Sequence, residues 1–339
     1  MKAPIATLGL MLMLLWGLTP TTEASSGRRP GSVLVFTSYF SDPVAGTVIS
    51  VTNTKDAPSF DPNTNLDGVV DVHFIYIDQD GWREFNRYER LTPNDTFSTI
   101  TSVHNPSSYT GFLYCIALDP NTQQPVSHNW LIGDSILAIS VFGWLYASDA
   151  VGFRSLTPEG QPADLNGNGL VDLDGVEYDA VPDQMLCSSF IGSTVDEDFY
   201  IDPFNARLEL VSFVSLVGNS DYETRLDFTV YNDNEQQFST SLSFRCAELG
   251  FLLFDFVFEN EFLASTNHDP RNNGLGNIET GWFRVDGHRA VDVVGNEPAI
   301  EDPPFLASYF SLIIGGSTGR LFHESNEPNQ AAGVLDMLL

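Results

Sequence analysis

The sequence predicts an all-β fold made of two tandem antiparallel β-sandwich domains. Apolar and polar residues alternate with a period of two in many short runs, which puts the apolar side chains on one face of a strand. Clusters of Asn, Asp, Gly and Pro bound these runs at intervals of about 8–15 residues. After the first 24 residues, no long capped window has the spacing of an amphipathic helix.

Individual strands follow from this alternation. The runs 226–230 and 242–246 each place apolar residues at every second position. The alternate residues from Val70 to Tyr76 form a similar apolar stripe, but Ile75 and Ile77 make the opposite face partly apolar. Polar turn clusters such as TPND and NDN lie between the runs, as expected for short antiparallel strands.

Composition limits both the size and the partners of the protein. Its 339 residues are 42% hydrophobic and include 25 Phe, which excludes a disordered acidic chain and suggests two domains. Asp and Glu total 45 against 15 Lys and Arg, so the formal net charge is −30. A surface this negative repels phosphate backbones and anionic lipids, which excludes nucleic-acid binding and polybasic membrane binding.

The N-terminal residues are typical of a secretory signal peptide. Lys2 precedes an apolar run from Leu8 to Leu18, and small residues follow up to a cleavage site near Ala24. The alternative is a membrane-spanning helix, which needs about 20 apolar residues, roughly twice this run. We therefore expect a secreted protein, extracellular or periplasmic, without a membrane span.

The two halves of the chain resemble each other, which predicts an internal duplication. Four correspondences keep their order along the chain, and chance similarity of strand-turn-strand sequence is the alternative. They pair residues 46–54 with 227–234, the segment 94–104 ending in His104 with the segment 259–268 ending in His268, Gly111 with Gly281, and residues 131–135 with 313–317. The predicted domains are a signal peptide 1–24, a first sandwich 31–156, an acidic linker 157–202, a second sandwich 203–325 and a tail 326–339.

The acidic stretch 164–177 (DLNGNGLVDLDGVE) has the spacing of a calcium loop. Calcium takes about 6–8 oxygen ligands in a flexible cage, and a glycine at the sixth position allows the sharp turn. Gly169 occupies that position, and Val171 can pack inward. The predicted ligands are Asp164, Asn166, Asn168, the Leu170 carbonyl, Asp172 and Asp174.

This loop resembles the calcium loops of EF-hands, dockerins and thrombospondin type 3 repeats over about 14 residues. It departs from them at position 12, which is Gly175 where an EF-hand has a bidentate Glu. Asp174 or Glu177 can replace that ligand from a different backbone position, and with two or three carboxylates we expect a weak affinity of about 10⁻⁴–10⁻³ M. The alternative is a solvated Asx-rich turn cluster without metal.

A second segment, Asn63 to Asp71, repeats the spacing but begins with a neutral residue. Its twelfth position is Phe74, inside a predicted strand, so a plain surface loop is favoured over a calcium site.

No catalytic constellation stands out in the sequence. Motifs for a serine nucleophile, a two-His zinc helix and a phosphate-binding glycine loop are missing. His104 and His268 precede matching Asn/Asp-Pro turns, and we interpret each imidazole as bonding a turn backbone. We expect Cys115 to be a buried unpaired thiol; Cys187 and Cys246 either form a disulfide or stay reduced.

The chain as a whole resembles a group of secreted bacterial tandem β-sandwich proteins. The shared features are the signal peptide, a run such as LTPNDT at 91–96 and a linker such as DLDGVEY at 172–178. This group has no assigned activity, so the resemblance implies secretion and β architecture and transfers no catalytic residue.

Two functions are compatible with these features. One is a calcium-stiffened structural or adhesive protein of the envelope or extracellular space, with cell-surface or glycan partners. The other is a carbohydrate-binding module or carbohydrate-active enzyme, which fold analogy alone supports. Exposed Trp residues on a concave face beside two carboxylates favour the second function. The candidates for such a face are Trp82, Trp130, Trp144 and Trp282, although core packing is the expected role of each.

Overall fold

The structure is a computed structural model that describes most of the chain after the predicted signal peptide. The predicted signal peptide, His268, Trp82 and the first five residues of the second candidate calcium loop lie outside the described residues. The described ranges are 29–41, 45–56, 68–79, 83–106, 110–139, 144–192, 206–214, 222–249, 256–266, 279–295, 297–313, 316–321 and 333–336.

The regular secondary structure of the described chain is nearly all β, as predicted, and its sheets are antiparallel. The first unit contains strands β1 (Val33–Phe40), β2 (Ala45–Asn53), β3 (Val70–Asp78), β4 (Glu84–Leu91), β5 (Thr96–Ile100), β6 (Thr110–Leu118), β7 (Leu131–Ile139), β8 (Trp144–Asp149) and β9 (Val151–Phe153), with a short helix α1 (Thr101–His104) after β5. They form one sheet of order β4-β3-β6-β1-β9 and a second of order β5-β2-β7-β8.

The second unit follows strand β10 (Leu170–Leu173). Its elements are β11 (Gln184–Ile191), β12 (Ala206–Ser212), β13 (Tyr222–Asn232), β14 (Gln237–Arg245), β15 (Ala247–Glu248), a 3-10 turn (Phe256–Phe258), α2 (Asn260–Ser265), β16 (Thr280–Asp292), β17 (Ile300–Glu301), β18 (Phe305–Ile313) and β19 (Gly316–Leu321). One sheet has the order β11-β16-β13-β14 with β17 paired to β16, and the other has the order β15-β12-β18-β19. The last strand, β20 (Gly333–Asp336), pairs with β10.

The two units have the same strand order. If β11 to β16 are matched with β1 to β6, and β18 and β19 with β7 and β8, then β4-β3-β6-β1 corresponds to β14-β13-β16-β11. The same matching turns β5-β2-β7-β8 into β15-β12-β18-β19, and helical segments lie between the matched strands β5/β6 and β15/β16. Equal order is expected of a duplicated sandwich, while the duplication itself stays a prediction.

Gly111 and Gly281 occupy the same register position in this matching. Gly111 on β6 lies opposite Tyr39, just past an irregularity that spans Phe36 to Tyr39 on β1. Gly281 on β16 lies opposite Phe190, just past an irregularity of the same length that begins at Cys187 on β11. A side chain at either glycine would overlap a carbonyl oxygen of the neighbouring strand, that of Ile77 or Tyr231, so the close approach requires glycine.

Two of the other sequence correspondences do not fit this strand order. Residues 46–53 belong to β2, whereas 227–232 belong to β13, the counterpart of β3. Residues 131–135 open β7, but residue 313 ends β18 and residues 316–317 open β19. Strand-turn sequences carry little information, so similar composition at non-equivalent strands gave false matches. The third correspondence cannot be compared at His268, which lies outside the described residues.

The central strands β3 and β6 in the five-stranded sheet of the first unit are buried on both faces, whereas β4 at its edge is partly exposed. The predicted stripe from Val70 to Tyr76 on β3 contributes to the core between the two sheets of this unit. Ile75 and Ile77 point the other way, into a second core that continues through the second unit. This second core explains why the opposite face of β3 is also apolar, since both faces exclude water.

The predicted linker 157–202 contains ordered strands. Strand β11 lies inside that range and pairs with β16, so it belongs to the second sandwich. The preceding residues dock on the first sandwich through backbone hydrogen bonds, including Leu156 N to Glu177 O at 2.8 Å and Ala163 N to Pro125 O at 3.0 Å. Buried apolar side chains within this acidic segment, such as Val171 and Leu173, pack in the core and hold the segment against the first sandwich.

No helix in the described part of the chain is long and apolar enough to span a membrane.

Candidate functional site

The acidic loop 164–177 folds over a small apolar base. Ala163 before it, Val171 and Leu173 on β10, and Tyr178 after it are all fully buried. Val171 thus packs inward, as the loop pattern predicted. Strand β10 begins at Leu170, which pairs with Asp336 of β20, so the second half of the loop is held by a sheet.

Side-chain oxygens in the first half of the loop bind its own backbone. The Asp164 carboxylate accepts hydrogen bonds from Gly167 N at 2.7 Å and from Gly169 N at 3.1 Å. Asn166 Oδ1 accepts from Asn168 N at 2.9 Å, and Asn168 Oδ1 accepts from Leu170 N at 2.8 Å. Gly169 has φ +76°, the left-handed conformation that the sixth position of a calcium loop requires.

Two of the predicted ligands, Asn166 and Asn168, donate hydrogen bonds to a third, Asp172. Asp172 Oδ2 accepts hydrogen bonds from Asn166 Nδ2 at 2.7 Å and from Asn168 Nδ2 at 3.2 Å. The loop therefore brings Asp172 and both Asn side chains to one point, with the amide groups supplying positive partial charge to the carboxylate.

Glu177 is the side chain that the sequence left undecided, and it lies inside the loop. It is 2% exposed, and its Oε1 accepts from Leu165 N at 2.7 Å and from Asn166 N at 3.2 Å. The other oxygen, Oε2, is buried and has no hydrogen-bond partner among the described residues. Burial raises the pKa of the Glu177 carboxyl, and the nearby Asp172 and Asp164 carboxylates raise it further.

Asp174, the last predicted ligand, has a different role in the structure. Its Oδ1 accepts hydrogen bonds from Val176 N at 2.8 Å and Glu177 N at 3.2 Å, forming the turn that carries Glu177 back into the loop. Asp174 thus positions Glu177, which is the better placed of the two to replace the missing twelfth ligand. The sequence could not decide between Asp174 and Glu177, because Glu177 lies two residues after position 12 and reaches the loop only through this turn.

The carboxylates do not form a ready-made cage. Among the described residues, no group of three or more His, Cys, Asp or Glu side chains is arranged to hold a metal ion. Most oxygens in this loop belong instead to Asn side chains and to the backbone, and the Asp164 oxygens are engaged in the turn. A cation would therefore have to draw the Asp164, Asp172 and Glu177 carboxylates together.

The second candidate loop is described only from Gly68 onward. Asp71, its ninth position, lies on β3 and is paired with Arg90, whose Nε and Nη2 lie 2.6 and 2.8 Å from the two carboxylate oxygens. Gln123 also donates to Asp71 at 2.6 Å. The hydrogen bond from Arg90 lowers the pKa of Asp71, which is thus committed to an ion pair.

The histidines that the structure describes are set in side-chain networks. His104 Nδ1 lies 2.7 Å from the Tyr76 hydroxyl, so the imidazole bonds a side chain and not the turn backbone that we predicted. Its Nε2 lies 3.5 Å from Glu89 Oε1, too far for a well-formed hydrogen bond. His73 is stacked on Tyr88 with ring centroids 4.2 Å apart, and burial lowers its pKa to about 4.

The Trp residues test the carbohydrate alternative in part. Trp130 is 40% exposed and lines a cleft that contains one carboxylate, Glu159. Trp282 is similarly exposed, and its ring is stacked on Tyr231 with centroids 4.2 Å apart. The predicted arrangement needs two carboxylates beside the Trp, and the lining of the Trp130 cleft supplies one.

The cysteines are all buried, and none forms a disulfide. The prediction for Cys115 on β6 is confirmed, and burial raises the pKa of its thiol. The favoured bond between Cys187 and Cys246 is not formed in the structure. Both side chains instead pack in the apolar core of the second unit, where Cys187 Sγ donates to Ser189 O at 3.2 Å.

The fold and the loop together define an all-β protein of two packed sandwiches with an acidic loop between them. Comparison with protein-family models and with curated proteins gave no match.

Proposed function

We propose that this chain is a secreted, non-enzymatic structural or adhesive protein of the envelope or extracellular space, in which calcium stiffens the junction between two sandwiches. Secretion follows from the signal-like N-terminus and from the resemblance to secreted bacterial tandem β-sandwich proteins. A high net charge of −30 suits calcium-rich surroundings, where counterions screen the repulsion between carboxylates. Cell-surface or glycan partners fit this role.

The buried Glu177 oxygen carries the proposal. A buried carboxylate oxygen without a donor is costly unless a proton or a cation satisfies it. Glu177 faces the loop that holds Asp164 and Asp172, and their charges already disfavour its ionised form. A calcium ion bound here would reverse that unfavourable electrostatic energy, because each carboxylate would then face a divalent cation.

The position of the loop explains why a weak site is useful. On one side, Glu177 O accepts from Leu156 N of the first unit. On the other side, Asp183 O accepts from Gly287 N at 2.7 Å, and Pro182 O accepts from Phe305 N at 3.1 Å, both in the second unit. The loop and the residues directly after it are therefore hydrogen-bonded to both sandwiches, so a cation that stiffens the loop would also restrict movement at their junction.

The expected stabilisation follows from mass action. A ligand that binds only the folded state at 100 times its Kd contributes about 2.7 kcal/mol. With the affinity expected of extracellular modules, about 10⁻⁴–10⁻³ M, millimolar calcium supplies part of this stabilisation.

Glu177→Gln tests the proposal because its effect should change sign with calcium. In chelator, the variant should melt at a higher temperature than the parent protein, since Gln keeps the carbonyl for Leu165 N and Asn166 N and removes a buried charge. In calcium, it should lose most of the rise in melting temperature that the parent protein shows. Asp164→Ala should lose that rise as well.

Asp233→Ala is the matched control, because Asp233 is an exposed carboxylate in the β13–β14 turn of the second unit. It should keep the full calcium-dependent rise. If chelator changes neither the melting temperature nor the protease sensitivity of the loop in the parent protein, the calcium proposal is wrong.

A further inference from the structure

A cleft on the first unit differs from the rest of this acidic protein. It has a volume of about 800 Å³ and is formed by the chain before β1, the turn before β7 and the segment after β9. That volume lies within the range of about 300–1,000 Å³ typical of small-ligand sites. The side chains that matter for its chemistry are Arg29, Trp130, Arg154, Leu156 and Glu159.

The cleft concentrates cationic groups. Arg29 and Arg154 line it, and Lys55 lies beside it with its Nζ 3.1 Å from Glu159 Oε1. The nearby carboxylates are Glu159, which Lys55 contacts, and Asp179, whose Oδ2 is 3.6 Å from Arg29 Nη1. The lining of the cleft holds two arginines and one carboxylate, an excess of positive charge in a chain that carries −30 as a whole. The cleft is therefore a place where an anion is attracted.

The two arginines have capacity for a further partner. The Arg154 guanidinium forms no ion pair with any residue that the structure describes; its contacts with Asp179 are made by the backbone, with Arg154 N donating to Asp179 Oδ2 at 2.8 Å and Arg154 O accepting from Asp179 N at 2.9 Å. The Arg29 Nε atom is buried and has no hydrogen-bond partner within the described ranges. Arg29 Nη1 and the backbone N–H of Arg154 both lie near Asp179 Oδ2, so the two arginine residues are neighbours in the wall of the cleft. A guanidinium is suited to carboxylates because its planar N–H groups bind both oxygens.

Trp130 supplies a fixed aromatic surface in the same cleft. Its indole Nε1 donates to Glu159 Oε1 at 3.0 Å, and its carbonyl accepts from Thr54 N at 2.8 Å and from Thr54 Oγ1 at 2.7 Å. The ring is thus held by an edge while 40% of the residue stays exposed. Leu156, half exposed, adds apolar surface nearby. Pre-positioned aromatic rings bind without a large loss of side-chain entropy.

We propose that this cleft binds a saccharide bearing a carboxylate, a uronic acid, with its ring on Trp130 and its carboxylate on Arg29 and Arg154. The pyranose ring presents an apolar C–H face that can pack on an indole, and its hydroxyl groups can bond Glu159 and the backbone. A small sugar acid fits better than a long polyanion, because the surrounding surface repels extended negative charge. This assignment is independent of the calcium loop.

The test compares uronic acids with their methyl esters, since esterification removes the charge and keeps the ring. The monosaccharides galacturonate, glucuronate and mannuronate are titrated calorimetrically into the mature protein in chelator, which prevents calcium from binding the sugars. At least one acid should bind ten-fold or more tightly than its ester. Arg154→Gln should remove this preference and leave binding of the ester unchanged, whereas Trp130→Ala should weaken both ligands ten-fold or more.

Two controls keep the result specific. Arg225→Gln removes an exposed arginine paired with Asp227 on the second unit, and Trp282→Ala removes the similarly exposed tryptophan there. Both variants should bind like the parent protein. Equal affinity for acid and ester, no binding of any of the three sugars, or tighter binding of adenosine monophosphate than of every uronate would each overturn the proposal.

Discussion

Thr37 on β1 and Glu209 on β12 join the two sandwiches through a buried hydrogen bond, with Thr37 Oγ1 lying 2.8 Å from Glu209 Oε2. Ser308 Oγ on β18 lies 2.9 Å from the same Thr37 oxygen. All three residues are buried, so the polar contact sits inside the interface between the units. Together with the continuous second core, it makes the two sandwiches one packed body instead of two independent domains.

Replacing Thr37 with Val should lower the free energy of unfolding by about 1.5–3 kcal/mol, because a buried carboxylate loses a donor. Urea unfolding of the mature protein measures this change. The control Thr52→Val removes an exposed hydroxyl pair with Thr96 and should change stability by less than about 0.5 kcal/mol. Equal effects of the two variants would mean that the Thr37–Glu209 contact does not hold the units together.

Alanine at Gly111 or at Gly281 should destabilise the protein by about 3 kcal/mol or more, because the new Cβ overlaps a strand carbonyl. Gly46→Ala is the control, since no atom lies within 4 Å of a Cβ built there. Thermal melting compares the three variants. Should Gly111→Ala and Gly281→Ala melt like Gly46→Ala, the close approach of the strand carbonyls to these glycines would be contradicted.

Cys115 should resist thiol reagents in the native protein. Its side chain is fully buried and burial raises the pKa of its thiol, so both access and thiolate formation are suppressed. Mass spectrometry after labelling should find Cys115 unmodified in buffer and modified in denaturant. Rapid labelling in native buffer would contradict its assignment to the inner face of β6.

Stability in chelator should fall as the pH is lowered from about 6.5 to about 4. Unfolded His73 binds a proton near pH 6.5, whereas burial lowers its pKa in the folded protein to about 4. The unfolded state therefore binds more protons in this window, which costs the folded state roughly 3 kcal/mol at the lower end. Burial also lowers the pKa of His128 to about 4, so its contribution has the same sign.

His73→Gln isolates the first contribution. Urea unfolding at pH 7 and at pH 4.5 should show a smaller loss of stability for this variant than for the parent protein. The carboxylates and the other histidines titrate in both proteins, so their contributions to the change in stability cancel in the comparison. An unchanged difference between the two pH values would show that His73 is not kept neutral by burial.

Much of the architecture could be predicted from local sequence. Alternation along β3 and β13, and turn clusters such as that at 232–234, record which side chains face a core, because a strand places successive residues on opposite faces. The acidic loop could be located for a similar reason, since its spacing is local. The pairing of Gly111 with Gly281 could be read from the sequence because each position needs a residue without a side chain, where a carbonyl of the neighbouring strand comes close.

The contacts between side chains that are distant in the sequence depended on tertiary packing. What covers Ile75 and Ile77 depends on the second unit more than 80 residues away, and no local pattern contains that contact. Glu177 enters the loop because the turn at Asp174 redirects the chain. The spacing of residues in a standard calcium loop therefore could not identify Glu177 as a ligand. The cleft of Arg29, Trp130 and Arg154 is likewise assembled from three distant segments. The sequence by itself thus determined the β class and the loop, whereas tertiary contacts between distant residues determined which side chains meet and what they can bind.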